Sequence, residues 1–133
     1  MAKGYDTNRE RKFALSSFGK DLARRAKSKC ELTHAAGVRL HTYEIPPLPG
    51  EPDYDRCLLV SESVLAQLEK PGTIRPEEWR HLSELIWSGI PAVQIMVLRI
   101  LRRLARSEAW ARNLIEEAYL DLEVVAAADQ AEL

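Results

Sequence analysis

The chain is short of the residues that build stapled or reactive sites. Its 133 residues hold two cysteines, Cys30 and Cys57, and three histidines. Two thiols cannot form a disulfide framework, and a reducing compartment keeps such cysteines free. No apolar run approaches the roughly 18 residues that cross a bilayer, and the start, Met1-Ala2-Lys3-Gly4-Tyr5-Asp6, lacks the apolar core of a signal peptide. The expectation is therefore a cytoplasmic protein with no membrane partner. A Gly-rich phosphate loop, a Gly-x-Ser-x-Gly elbow and a His-Glu-x-x-His run are all missing. Without them no catalytic residue can be assigned, and enzyme function is not expected.

What remains describes an ordinary globular chain of one-domain length, 46% apolar and 29% charged. Net charge is −1, yet its distribution is uneven. Residues 1–29 carry nine Lys or Arg against three acids, while residues 113–133 carry six acids and no Lys or Arg. Such asymmetry makes a basic surface for polyanions, or two ends that pack together and neutralise.

The first helix is marked by Thr7 and Glu10, spaced as a capping box, and is expected to run to Lys29. Leu15, Phe18, Leu22 and Ala26 recur at three and four residues and make an apolar stripe. Arg9, Phe13, Lys20, Arg24 and Lys27 lie opposite, whereas Arg11 and Arg25 sit close to the stripe. Val38 to Ile45 alternates as a strand, and Arg56 to Val60 reads as a second, buried one. Between them Pro46, Pro47, Pro49 and Pro52 exclude helix and central strand. Ser61 can cap a short helix to Glu69. Beyond it the chain reads as helical: one helix from Pro76 to Trp87, a second from Pro91 to Arg106, and a last one capped by Ser107. The alanine-rich end after Leu122 either extends that last helix or frays.

Several of these runs resemble one family. Gly19-Lys-Asp-Leu-Ala-Arg-Arg-Ala-Lys-Ser-Lys-Cys-Glu-Leu, Tyr43-Glu-Ile-Pro-Pro, Asp53-Tyr-Asp-Arg-Cys-Leu-Leu, Trp79-Arg-His-Leu, Ile90-Pro-Ala-Val-Gln and Tyr119-Leu-Asp are similar to PhnA-like bacterial proteins. The likeness covers most of the chain, and the family's name, from an alkylphosphonate-utilisation operon, does not establish an activity. It implies a zinc ribbon whose four cysteines would stand at Cys30, Thr33, Ser61 and Val64. Only Cys30 is kept, so neither zinc nor another cofactor is expected, and the knuckle must be held by packing and hydrogen bonds. Relatives of this kind continue into a small β-barrel, for which residues up to Leu133 hold no segment.

Three functional readings follow. The leading one is a non-catalytic protein-interaction or scaffold module, acting on a protein partner or a second copy. The alternative is a nucleic-acid-binding protein that uses two arginine-rich faces: Arg99, Arg102, Arg103 and Arg106 on one helix, and Arg9, Phe13, Lys20, Arg24 and Lys27 on the first, with Phe13 as a stacking platform. The acids Glu116, Glu117, Asp121 and Glu123 are on hand to neutralise the former set. The remote alternative is an HNH-like nuclease relic. In that frame Glu44 takes the place of the general base, and His41 falls two residues early. The expected architecture is a single α+β domain, mainly helical: a basic N-terminal helix (1–29), a degenerate zinc-ribbon or treble-clef hairpin with a short helix (30–70), and a helical part (71–133) forming a small bundle on which the hairpin packs. Its core is expected from Trp79, Leu82, Ile86, Val97, Ile100, Leu101 and Leu104, and Trp87 and Trp110 are also read as core.

Overall fold

The computed structural model describes residues 2–133, with side chains from Arg9 onward. The chain is mainly helical, with one two-stranded antiparallel sheet, and divides into two compact units, Met1–Glu62 and Ser63–Leu133. Among the described residues no helix is long and apolar enough to cross a membrane.

The first unit is built on helix α1, Ala2–Ala26. The helix already runs through Thr7, so that residue is not its N-cap, and the Thr7 side chain lies outside the described residues. Its C-terminus comes earlier than Lys29. Ser28 N–H donates to the Ala23 carbonyl at 2.8 Å and Lys27 N–H to the Arg24 carbonyl at 3.3 Å. These two bonds make a Schellman stop, which needs a left-handed residue after the helix. Lys27 supplies it at φ 56°, and Ser28 follows at φ 59°. A non-glycine residue there costs about 1–2 kcal/mol, so the packing beyond must compensate.

That packing is a hairpin. Strands β1 (Leu40–Glu44) and β2 (Cys57–Ser61) pair antiparallel from Leu40↔Ser61 to Glu44↔Cys57. β1 is shorter than the expected residues 38–45, and β2 is shifted by one residue from the expected 56–60, because Arg56 belongs to the preceding 3-10 turn. Every residue of β2 is buried, which explains why its apolar run does not alternate. Leu22, Cys57 and Leu59 form a core cluster, with Leu15, Phe18, Ala26, Leu40 and Tyr54 packed around it. The α1 stripe thus lies on the hairpin. The proline-rich connection closes with a 3-10 turn, Tyr54–Arg56, and Ile45 N–H donating to the Arg56 carbonyl.

In the second unit, helix α2 (Glu62–Glu69, its first residue belonging to the unit before) leads into irregular turns. The helix expected over Pro76–Trp87 is broken into a 3-10 turn, Pro76–Trp79, and a one-turn helix α3, Leu82–Leu85. The physical reason is in the spacing. Trp79, Leu82 and Leu85 are buried and three residues apart, a period that suits three residues per turn better than 3.6. Helix α4 (Pro91–Leu104) is the centre, buried on most of its circumference from Ala92 to Leu101. It packs against α3, against α5 (Ala109–Glu117) and against α6 (Leu122–Ala128). Helix α5 begins after Glu108, not Ser107, and no side chain caps it. The alanine-rich end is neither an extension nor a frayed tail. It is a separate helix that buries Val124, Ala127 and Ala128. All seven residues expected in the core are buried, at 0–3% exposure. Trp87, expected with them, is 61% exposed.

Candidate functional site

The turn that follows α1 is closed by backbone hydrogen bonds. Lys29 and Ala36 form an isolated bridge, Cys30 N–H donates to the Ala35 carbonyl at 3.0 Å, and His34 N–H to the Cys30 carbonyl at 2.7 Å. His34 carries φ 62°, a left-handed conformation needed to close the turn. The four positions that the family resemblance assigns to metal do not fit zinc. Cys30 offers a buried thiol, Thr33 and Ser61 only hydroxyls, and Val64 no donor atom. The Thr33 hydroxyl accepts Ala35 N–H at 3.4 Å, within its own turn. Among the described residues no three His, Cys, Asp or Glu side chains come together in a way that could hold a metal ion.

A buried ion pair occupies this region. Glu31, inside the turn, is 5% exposed. It receives Arg25 Nε at 2.9 Å and Arg25 Nη2 at 2.8 Å. The same carboxylate accepts Leu59 N–H at 2.9 Å, and Arg25 Nη2 also donates to the Cys57 carbonyl at 2.9 Å. Arg25 lies over the Tyr54 ring, 5.2 Å from its centroid. Burial alone would lower the Arg25 pKa, but the hydrogen bonds and charge of Glu31, with Tyr54 adding to them, carry it above its ordinary value. Arg11 is used in the same way. It grips Glu44 through Nε at 3.1 Å and Nη2 at 2.9 Å, and reaches the Pro49 carbonyl at 2.7 Å. These two arginines flank the apolar stripe, the signal in the sequence that they point inward. That Glu31 and Glu44 would receive them was missed.

The remaining residues of the α1 basic face point outward. Arg9, Phe13, Lys20, Arg24 and Lys27 are exposed, and Phe13 is 78% accessible. Arg24 makes one loose contact, 4.0 Å to Asp21. Of the nuclease frame, Glu44 is held by Arg11, while His41 pairs across to Val60 with its Nε2 buried and without a hydrogen-bond partner.

Helix α4 ends at Leu104, short of the expected Arg106, and Arg99, Arg102, Arg103 and Arg106 do not form the open patch that their spacing suggests. Arg99 is 2% exposed, donating from Nε to the Ala128 carbonyl at 3.3 Å and from Nη2 to the Ala127 carbonyl at 2.9 Å. It thus caps the C-terminal end of α6, where carbonyls lack helix partners and attract cations. Arg102 meets Asp129 at 2.7 Å, Arg106 meets Glu132 at 3.9 Å, and Arg103 Nη1 donates to the Leu133 carbonyl at 3.3 Å. The neutralising acids are therefore Asp129 and Glu132, not Glu116, Glu117, Asp121 or Glu123. Together these groups line a cavity of about 420 Å³. No family model, curated protein or solved structure matches the chain.

Proposed function

We propose that the chain is a PhnA-like interaction module without catalysis of its own. In this reading the first unit is a degenerate zinc-ribbon or treble-clef hairpin fastened by side chains instead of metal, and α1 carries its contact surface. The observation behind it is the sorting of cations along α1. Arg11 and Arg25 are spent on Glu44 and Glu31 in holding the hairpin, while the side chains of Arg9, Phe13, Lys20 and Arg24, and of Lys27 just past the helix end, are exposed. The order of elements supports the hairpin reading: a turn from Lys29 to Ala36 closed by left-handed His34, then β1, β2 and the start of α2 at Glu62.

The partner of such a face is a protein or a second copy of the chain. Light scattering across a concentration series tests it with the wild type and Phe13→Glu. A mass that grows with concentration and returns to monomer in the variant supports self-association through α1. One observation favours a second reading, single-stranded nucleic acid. An exposed aromatic amid cations is the arrangement on which bases stack, at about 1–3 kcal/mol each. Anisotropy of labelled oligonucleotides at low and high salt decides it. Binding weakened by salt and by Phe13→Ala with Lys20→Gln and Arg24→Gln promotes nucleic acid. A monomer that binds no oligonucleotide at low salt removes α1 as a face for self-association and for nucleic acid, and leaves a different protein as its partner.

A further inference from the structure

We propose that the cavity between α4 and the residues following α6 is a binding site for an oligophosphate anion, with Asp129 and Glu132 seated in it as internal competitors. This goes beyond the module reading, which concerns α1. Arg99, Arg102 and Arg103 recur at helical spacing on one face of α4, and Arg106 follows in the turn just past its end at Leu104, so four guanidinium groups line one cavity. In the cavity lining the four arginines face two side-chain carboxylates, Asp129 and Glu132, and the main-chain oxygen of Leu133, which takes Arg103 Nη1 at 3.3 Å. The volume, about 420 Å³, falls in the range that takes small ligands.

The four arginines are prepared to different degrees. Arg99 is locked by the Ala127 and Ala128 carbonyls, so its guanidinium is held before any ligand arrives. Arg102 and Arg106 hold exchangeable partners. The side chains of the Arg102–Asp129 pair are 39% and 58% exposed, and those of Arg106–Glu132 are 58% and 89% exposed. Solvent screens such pairs, so replacing a carboxylate costs little. A phosphate chain brings more charge per volume than two separate carboxylates, and each arginine fork matches two phosphate oxygens. Asp129 and Glu132 thus behave as weak stand-ins for a stronger ligand.

Calorimetric titration of the full chain with sodium tripolyphosphate tests this, with ATP as a parallel arm. Wild type is expected to bind, and more weakly as salt rises. Arg102→Gln with Arg103→Gln should weaken binding about tenfold or more, the loss of one or two charge-assisted contacts. Asp129→Asn with Glu132→Gln should tighten it at least about threefold, because the competitors are gone. Lys20→Gln with Arg24→Gln on α1 should change nothing. Equal affinity for both ligands assigns the site to a free phosphate chain, and tighter ATP binding to a nucleoside-borne one; either supports the proposal. It is overturned by absent binding in both the wild type and the acid-neutralised variant, by binding that the arginine changes leave intact, or by weaker binding once the acids are neutralised. If the arginine variant does not fold, the acid-neutralised variant and its salt dependence decide alone.

Discussion

Arg25 and Glu31 face each other in a two-pronged ion pair that also bonds two backbone groups on one edge of β2. Arg25 comes from the last turn of α1 and Glu31 from the turn that follows it, and each makes a further bond to β2, at Cys57 and Leu59. One pair therefore ties three segments. Its side chains are 17% and 2% exposed, so it works in a partly desolvated setting where a widowed charge is costly. Glu31→Ala is expected to destabilise the protein by about 3–5 kcal/mol in urea unfolding. Glu31→Gln keeps an acceptor for Leu59 N–H and should lose less. Adding Arg25→Leu to Glu31→Leu should restore part of the stability, since both charges are then gone. Strictly additive losses would show that the pair does not act as one fastening.

The side chains at the four positions that the family resemblance assigns to zinc predict how the protein responds to a chelator. One thiol, two hydroxyls and an isopropyl group do not make a zinc cage, and the turn has its own fastening in Arg25 and Glu31. EDTA should leave the melting temperature unchanged, and elemental analysis of purified protein should find no stoichiometric zinc. A drop of many degrees on chelation would mean that some other ligand set completes a site, because structural zinc carries folding energy.

Helical periodicity made the central parts of the fold legible. The α4 stripe of Val93, Val97, Ile100, Leu101 and Leu104 was readable because a long amphipathic helix repeats its signal over several turns. The first strand could be read from its alternation and the second from its short apolar run after the prolines. The stretch from Pro76 to Trp87 could not, since a three-residue apolar period over so few residues looks like either helix type. The arginines divide in the same way. Spacing placed Arg99, Arg102, Arg103 and Arg106 on one face. It could not tell that α6 would dock there, bringing carbonyls to Arg99 and Asp129 to Arg102, because those contacts join residues about 30 positions apart.

The tryptophans show how that difference translates into energy. Trp79 is 1% exposed, its indole N–H donates to Gln67 Oε1 at 3.0 Å, and its ring stacks on His81. Trp79→Ala should cost about 3–5 kcal/mol by cavity and lost transfer energy. Trp87 is 61% exposed, so Trp87→Gln should stay within about 0.5 kcal/mol. Chemical denaturation of both variants checks the contrast. Comparable losses would mean that Trp87 is covered in solution, as by self-association, and dilution would then reduce its cost.

Stability at alkaline pH should carry the mark of Cys57. Its thiol is pushed up from 9.0 to about 11, first by burial, then by the charges of Glu44 and Asp53, with Arg25 and Arg11 pulling the other way. A raised thiol pKa means that the folded protein keeps the proton while the unfolded chain loses it. Between pH 9.0 and about 11 the unfolded state therefore binds fewer protons, and stability falls as pH rises. The contribution is complete below the unfolded value and is lost as pH passes the folded one, amounting to about 2–3 kcal/mol. Cys57→Val removes the titration and nearly keeps the volume. Its stability should match that of the wild type within about 1.5 kcal/mol near neutrality. The wild type should then lose ground to it steadily through the alkaline window, as read by urea unfolding at stepped pH. Parallel pH curves for the two proteins would show that the Cys57 thiol ionises as easily in the fold as out of it, and that the core cluster of Leu22, Cys57 and Leu59 admits solvent.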